Sequence, residues 1–291
     1  MYTAVLSVLL MGLIPVRSDP ATSPNALAHL SVAPPSPSGE SLAQSLILQH
    51  AVSASGIVIL DLQSSQILLA KNGTIRRPIA SLAKLMTALV IAEHHGMNEW
   101  VRIPDAIAST EGHVVHLPPG EQFRVGDLLE ALLVSSADDA AVALAMYHSG
   151  SFDAFVSQMN ERASLLGLAN TSFANPIGLD DLAQWSTPLD IAWLTMFVFR
   201  RPELRLRLSF RNATTITSRR GTVIPLEQTH ELLHGDSPVI AGKTGTTDDA
   251  KECLMSIVKE QGRNYVVVLL GSRQRYADMR AVLFALASLF A

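Results

Sequence analysis

With 291 residues, 48% of them hydrophobic and 16% charged, the chain can bury a large core, which excludes disorder as its dominant state. A net charge of −4, with 22 Lys and Arg mostly dispersed among 26 Asp and Glu, gives no basis for nucleic-acid binding. The single cysteine, Cys253, excludes an internal disulfide and any cysteine-based metal cluster.

The first element is "MYTAVLSVLLMGLIPV", an apolar run with the length of a signal-peptide core. Residues 1–17 are therefore expected to be a signal peptide or N-terminal anchor, which implies export and, for an anchor, peripheral membrane association. Against cleavage, no Lys or Arg precedes the run and no clean small-x-small site follows it closely; a buried N-terminal strand is the competing reading. Residues 18–44 include "SDPATSPNALAHLSVAPPSPSGE", rich in Pro, Ser and Ala, and read as a linker unable to bury enough surface to fold. A folded domain is expected over 45–291.

"SGIVILDLQSSQILLAKN" predicts a hairpin turning at Gln63 to Gln66. "PIASLAKLMTALV", residues 78 to 90, then reads as a helix with Leu82, Leu85, Met86, Leu89 and Val90 in a core-facing stripe. Ser81 and Lys84 stand three apart, which puts a hydroxyl and an amine on one face. Alone this spacing is weak: it equally fits an N-cap serine and a solvated lysine. Ser256 and Lys259 repeat it in a strand-like stretch, where a period of two sends them to opposite faces.

His113 and His116 are the only short histidine pairing of interest, and no carboxylate at helical spacing supports a metal site there. "GEQFRVGDLLEALLVSSADDAAVALAMYH" predicts helices on both sides of a polar break at Ser135 to Asp139, in which Ser136 is either a turn residue or a second hydroxyl of a site. Helices follow near 152–167, stopped by Gly167, and near 187–199. The arginines of "FRRPELRLRLSFR", residues 199 to 211, are expected on a solvated face.

"VIAGKTGTTDDA", residues 239 to 250, places a Lys, a Thr and Gly245 before a strand, where the glycine would let a ligand backbone approach; a glycine turn with a surface lysine fits as well. "ECLMSIVKE", a turn at Gln261 to Asn264 and "YVVVLLGS" predict a second strand pair, with Cys253 in the core. An amphipathic helix, "RYADMRAVLFALASLF", closes the chain. Strands at both ends with helices between them predict an α+β architecture in which the terminal strands share one sheet.

In this order and at these separations, "SLAK", "SAD" and "KTG" resemble the three signature motifs of the penicillin-binding proteins and β-lactamases. The surrounding blocks, among them "LPPGEQFRVGDLLEALLVSSADDAAVALA", "LGLANTSFANPIGLDD" and "VIAGKTGTTDDAKECL", resemble one branch, the low-molecular-weight D-alanyl-D-alanine carboxypeptidases. The resemblance implies a β-lactamase/transpeptidase-like fold: an antiparallel sheet built from both chain ends, flanked by helices, with a helical subdomain. It implies a serine peptidase, without cofactor or metal, that removes the terminal D-alanine from peptidoglycan stem peptides in the periplasm or at the cell-envelope surface. β-Lactam antibiotics would be covalent inhibitors. Ser81 would be the nucleophile, Lys84 its base and Ser136 a proton relay. Asp138, Lys243, Thr244, Gly245 and Thr246 would bind substrate, with the N–H groups of Ser81 and Thr246 as the oxyanion hole.

The chain departs from that pattern in three places. Asp138 stands where the family usually has Asn, Thr229 and His230 stand where a polar pair ending in Asn is common, and no β-rich domain follows the peptidase domain. Two other readings stay open: a D,D-endopeptidase cutting cross-links, and a wall-binding pseudoenzyme suggested by Asp138. A class A β-lactamase is disfavoured, because none of Glu161, Glu203, Glu227 and Glu231 has Asn four places on.

Overall fold

The computed structural model describes residues 51–288; the expected leader and linker, residues 1–17 and 18–44, lie outside them. The near-continuous apolar runs at the two ends of the described chain form a single antiparallel sheet in the order β2-β1-β9-β8-β7. Its strands are β1 (Gly56–Asp61), β2 (Ile67–Lys71), β7 (Val239–Thr247), β8 (Lys251–Glu260) and β9 (Arg263–Ser272). Register between the chain ends runs from Gly56 opposite Leu270 to Asp61 opposite Tyr265. Alternating side chains feed two cores. Val58, Leu60, Val266 and Val268 face the helical body, while Ile57, Ile59, Val267 and Leu269 face the helix that closes the described chain, Arg275–Ser288. Covering both faces explains why these strands read as unbroken hydrophobic runs rather than as alternation.

Seven α-helices are described: α1 (Lys84–His94), α2 (Val125–Val134), α3 (Asp138–Ser149), α4 (Phe152–Leu165), α5 (Pro188–Arg200), α6 (Pro202–Leu208) and α7 (Arg275–Ser288). Their ends follow local chemistry. Ser151 Oγ accepts from Ala154 N at the start of α4, and Gly167, at φ +73°, follows its end. Thr187 accepts from Asp190 N at the start of α5, where Pro188 supplies a pre-set φ. Two small antiparallel pairs, β3 (Trp100–Arg102) with β4 (Gln122–Arg124) and β5 (Thr214–Thr217) with β6 (Val223–Leu226), flank the helices.

The α+β architecture with shared terminal strands is as expected, and four local expectations need correction. Helix α1 is buried all round from Lys84 to Ala92, so the stripe is only part of a fully enclosed helix and Lys84 is not solvated. The polar break between α2 and α3 is shorter than expected, because Asp138 and Asp139 already belong to the first turn of α3. The Lys-Thr-Gly sequence lies within β7, at the edge of the sheet, rather than before a strand. Finally, the basic stretch is not simply solvated. Arg207 is half-buried and donates to Gly126 O at 2.9 Å and Glu203 O at 2.7 Å, and Arg201 donates to Ala92 O at 2.5 Å, tying α6 to α2 and α1. The Arg201 guanidinium thereby meets a carbonyl in the last turn of α1, where intrahelical partners run out, a use that composition does not reveal.

Candidate active site

Residues Ala80–Ala83 form a 3-10 turn that leads into α1. Ala80 sits at φ +49°, a strained conformation for a residue with a side chain, and it points the following residue, Ser81, out of the turn at partial exposure. The turn is wedged between two glycines. Gly178, at φ +95°, lies against the carbonyl of Ala80, where any Cβ would collide. On the other side a Cβ at Gly245 would come within 2.8 Å of Ser81 N and 2.9 Å of Ala80 Cβ. Gly245 thus lets β7 approach the Ser81 turn itself, a close contact that the sequence did not reveal.

Lys84 opens α1 and has no exposed surface. Its Nζ lies 2.8 Å from Ser81 Oγ, 2.5 Å from the carbonyl of Ile177 and 2.6 Å from Asp138 Oδ1. Burial pushes the Lys84 pKa below its ordinary value, and the Asp138 carboxylate pulls part of the way back. Asp138, the first residue of α3, is locked in place by the loop before α2. Its Oδ2 accepts from His113 N at 2.7 Å, and its own N–H donates to His113 O at 2.7 Å. His113 therefore braces the site through its backbone. Among the described residues no three His, Cys, Asp or Glu side chains converge as a metal-ligand set.

Ser136 is buried in the short connection between α2 and α3 at φ +58°, a second left-handed non-glycine residue at this site. Its neighbour Ser135 fixes the connection, accepting from Glu227 N at 2.8 Å and donating to Glu227 O at 3.0 Å. The third wall is β7. Lys243 has no exposed surface, donates to Thr244 O at 3.0 Å, and is pushed well below the usual lysine range by burial and then by the nearby positive charge of Lys84. Thr244 donates to Thr229 Oγ1 at 2.7 Å, while Thr246 is exposed at the rim. The structure thus brings Ser81, Lys84 and Asp138 into direct contact, with Gly245 packed on the same turn.

Two contributors, Arg275 and Ile177, were not visible in the sequence, and a third, His230, stood out there only as a departure from the family pattern. Arg275, expected only as the start of an amphipathic helix, donates to Gly245 O at 3.0 Å, to Cys253 O at 3.2 Å and to the Thr246 hydroxyl, which fixes the end of β7. His230 is fully buried beneath Gly242, with Nε2 2.7 Å from Ser256 Oγ and its pKa pushed down to about 3 by burial. Ile177 supplies the carbonyl that meets Lys84. Ser256 and Lys259 do face opposite ways: one is buried against His230, the other exposed.

The arrangement can move a proton. A serine hydroxyl touches an amine whose charged form is disfavoured by burial, in contact with one carboxylate and with a second buried lysine nearby.

The D-alanyl-D-alanine carboxypeptidase family of peptidases matches residues 43–274. D-alanyl-D-alanine carboxypeptidase DacF of Bacillus subtilis is 30% identical over 238 residues, covering 79% of this chain, and the chain spans 61% of that protein's length. A D-alanyl-D-alanine endopeptidase of Escherichia coli is 26% identical over 231 residues, covering 78% of this chain and 74% of its own length. Among solved structures, the Streptomyces K15 DD-transpeptidase superposes with a TM-score of 0.75 at 28% identity, over 80% of this chain and 97% of its own. With the motif residues assembled in one place and the family match spanning most of its length, the chain belongs to the D-alanyl-D-alanine carboxypeptidase family.

Proposed function

We propose that the chain is a serine-type D-alanyl-D-alanine carboxypeptidase that acts through an acyl-enzyme on Ser81. The observation that carries this reading is the fully buried Lys84 Nζ at 2.8 Å from Ser81 Oγ, with the lysine pKa lowered by burial. A free hydroxyl is a poor nucleophile, and a neutral amine in contact removes its proton as the bond to carbon forms. Ser81 attacks the carbonyl between the two terminal D-alanines of a peptidoglycan stem peptide. The oxyanion is held by the N–H groups of Ser81 and Thr246, a contribution whose loss costs on the order of a hundredfold or more in rate. Ser136 passes a proton to the leaving nitrogen, D-alanine departs, and water releases the acyl group.

Substrate lies along β7 as an added strand, with its terminal carboxylate near Lys243 and Thr244. The position of β7 at the edge of the sheet supports this, because its outer side has no strand partner within the sheet. Asp138 supplies the contact to Lys84 and, in its ionised form, delays the loss of the lysine proton. Work on peptidoglycan puts the protein in the periplasm or at the envelope surface, with the apolar N-terminus as export signal or peripheral anchor, and makes β-lactams covalent inhibitors.

Penicillin labelling tests the core of the proposal. Ser81→Ala should abolish covalent labelling with the fold intact; label found on Ser136 or Ser256 would overturn the assignment, and absence of label in the parent would leave a wall-binding pseudoenzyme. Relatives named D-alanyl-D-alanine endopeptidase, at 26% and 29% identity, favour a second reading in which cross-links are cut. Product analysis with a pentapeptide muropeptide beside a cross-linked dimer separates the two.

A further inference from the structure

The β3–β4 pair and the turn joining β5 to β6 meet on a face that the proposed reaction does not use. Arg219 N donates to Gln122 O at 2.8 Å and its Nη1 to Gln122 Oε1 at 3.2 Å, which fixes the turn onto β4. Within the turn Ser218 Oγ accepts from Arg220 N at 3.2 Å and Thr222 N at 3.1 Å, and Gly221 takes the left-handed position at φ +92°. Two consecutive arginines are thereby displayed from an ordered turn. The ring of Trp100 faces two guanidiniums, Arg124 at 5.1 Å and Arg219 at 5.6 Å. Arg102, Gly120, Gln122, Arg219 and Arg220 line an open recess of about 480 Å³.

The charge here is only partly offset. Among the described residues no ion pair within 4.0 Å involves Arg102, Arg124, Arg219 or Arg220. The neighbouring acid, Glu121, accepts from the Thr222 hydroxyl at 2.7 Å, and hydrogen bonds, with a smaller contribution from the Arg220 charge, hold its pKa below the usual carboxylate range. A protein with net charge −4 thus gathers four guanidiniums in one place, with Glu121 near Arg220 and Asp127 near Arg124 as partial counter-charges and no direct ion pair. Because Gln122 Oε1 is engaged by Arg219, its amide nitrogen is left as a neutral donor toward the recess. Guanidinium forks plus an amide donor suit a phosphate, whose oxygens accept from several directions. In so open a recess a single phosphate is strongly screened by water and salt, whereas a chain of phosphates is held by rebinding at high effective concentration.

The recess is also connected to the catalytic cleft. It lies at the turn end of the β5–β6 hairpin, and just past the other end of β6 Glu227 is bonded to Ser135, beside Ser136. At about 3.3 Å per residue the two are separated along β6 by roughly 15 Å. We propose that this recess docks the phosphodiester groups of a linear anionic polymer and so holds the protein on the surface where it works.

The test is binding of the full chain to poly(glycerol phosphate), with polyglutamate of equal charge density, inorganic phosphate and phosphatidylglycerol vesicles as the other arms. The polymer should bind, and its affinity should fall steeply as salt rises. Changing Arg102→Gln, Arg219→Gln and Arg220→Gln together should weaken it about tenfold or more, since multiple phosphate contacts go at once. Penicillin labelling of the same variant should be unchanged, which shows that the fold is kept. The proposal is overturned by equal polymer binding in the parent and the triple variant, by equal binding of polyglutamate, by binding to vesicles alone, or by displacement with inorganic phosphate at matched phosphate concentration.

Discussion

Helices α1 and α3 run side by side in parallel, and ionisable side chains join them at both ends with opposite results. At the N-terminal ends Lys84 meets Asp138 at 2.6 Å, with 0% and 7% of their side chains exposed. At the C-terminal ends His95 Nε2 meets His148 Nδ1 at 2.8 Å in a chain of contacts that runs from Glu99 to Gln158. Water reaches that end: Glu99 keeps 41% of its side-chain surface. The helix dipole acts on both. It favours Asp138 at the start of α3 and opposes the ammonium of Lys84 at the start of α1, while His94 and His148 lie at the favourable negative ends. The comparison teaches that contact distance alone says little about function. Desolvation disfavours the charged form of Lys84 in the first contact, as the proposed proton transfer requires, while the second is a surface network of small energetic weight.

The largest expected effect comes from breaking the buried end. Lys84→Met should reduce acylation by about a thousandfold or more, as expected on losing a general base. It should also cost about 3–5 kcal/mol of stability, because Asp138 is left charged without its partner. Adding Asp138→Asn should restore the melting temperature but not the labelling rate. If the double variant regained labelling, Lys84 would be structural rather than catalytic.

A smaller effect should follow from removing only the charge. Asp138→Asn takes away the negative potential that favours the ammonium form of Lys84. The lysine pKa then falls further, the neutral base persists to lower pH, and the acid limb of the pH–rate profile for acylation should move down. An unchanged profile, or an upward shift, would show that the carboxylate is not coupled to the base.

The exposed end should respond least. Burial and the neighbouring histidines lower the His148 pKa, so the unfolded chain takes up a proton before the folded one. Stability at this end is therefore lost as pH falls from the ordinary histidine value near 6.5 toward the lower folded value. Glu99, also lowered, adds a loss as pH falls below its ordinary 4.5. His148→Gln should flatten the first part of that slope, by no more than about 0.5 kcal/mol because solvent screens the site. Thermal melts across the acid range would show it, and an unaltered slope would remove His148 from the account.

Much of this contrast was present in the sequence at one end only. The spacing of Ser81 and Lys84, and the order of the three motifs, were readable because catalysis requires side chains of fixed type at fixed separations. That Lys84 would be enclosed on every side was not readable, since α1 is covered by elements far apart in the chain. The same holds for Arg275, whose partners Gly245 and Cys253 are reached only through the sheet. Gly245 stood out in the sequence as a point of close approach, and the fold adds that the Ser81 turn is an element that approaches it. The left-handed backbone of Ala80 and Ser136 gave no signal, because such a conformation at non-glycine residues is imposed by tertiary packing.

The pairing of β1 with β9 has a consequence for how the molecule comes into being. Gly56 lies opposite Leu270, so the middle of the sheet joins segments from near opposite ends of the chain, the kind of non-local contact that forms slowly and late. β8 and β7, with Lys243, reach β1 only through β9. During synthesis Ser81 and Lys84 are made early, and β7 packs directly on their turn, but the sheet that carries β7 is complete only once β9 has left the ribosome. The site's surroundings are therefore expected to be finished late, when the last strand closes the sheet.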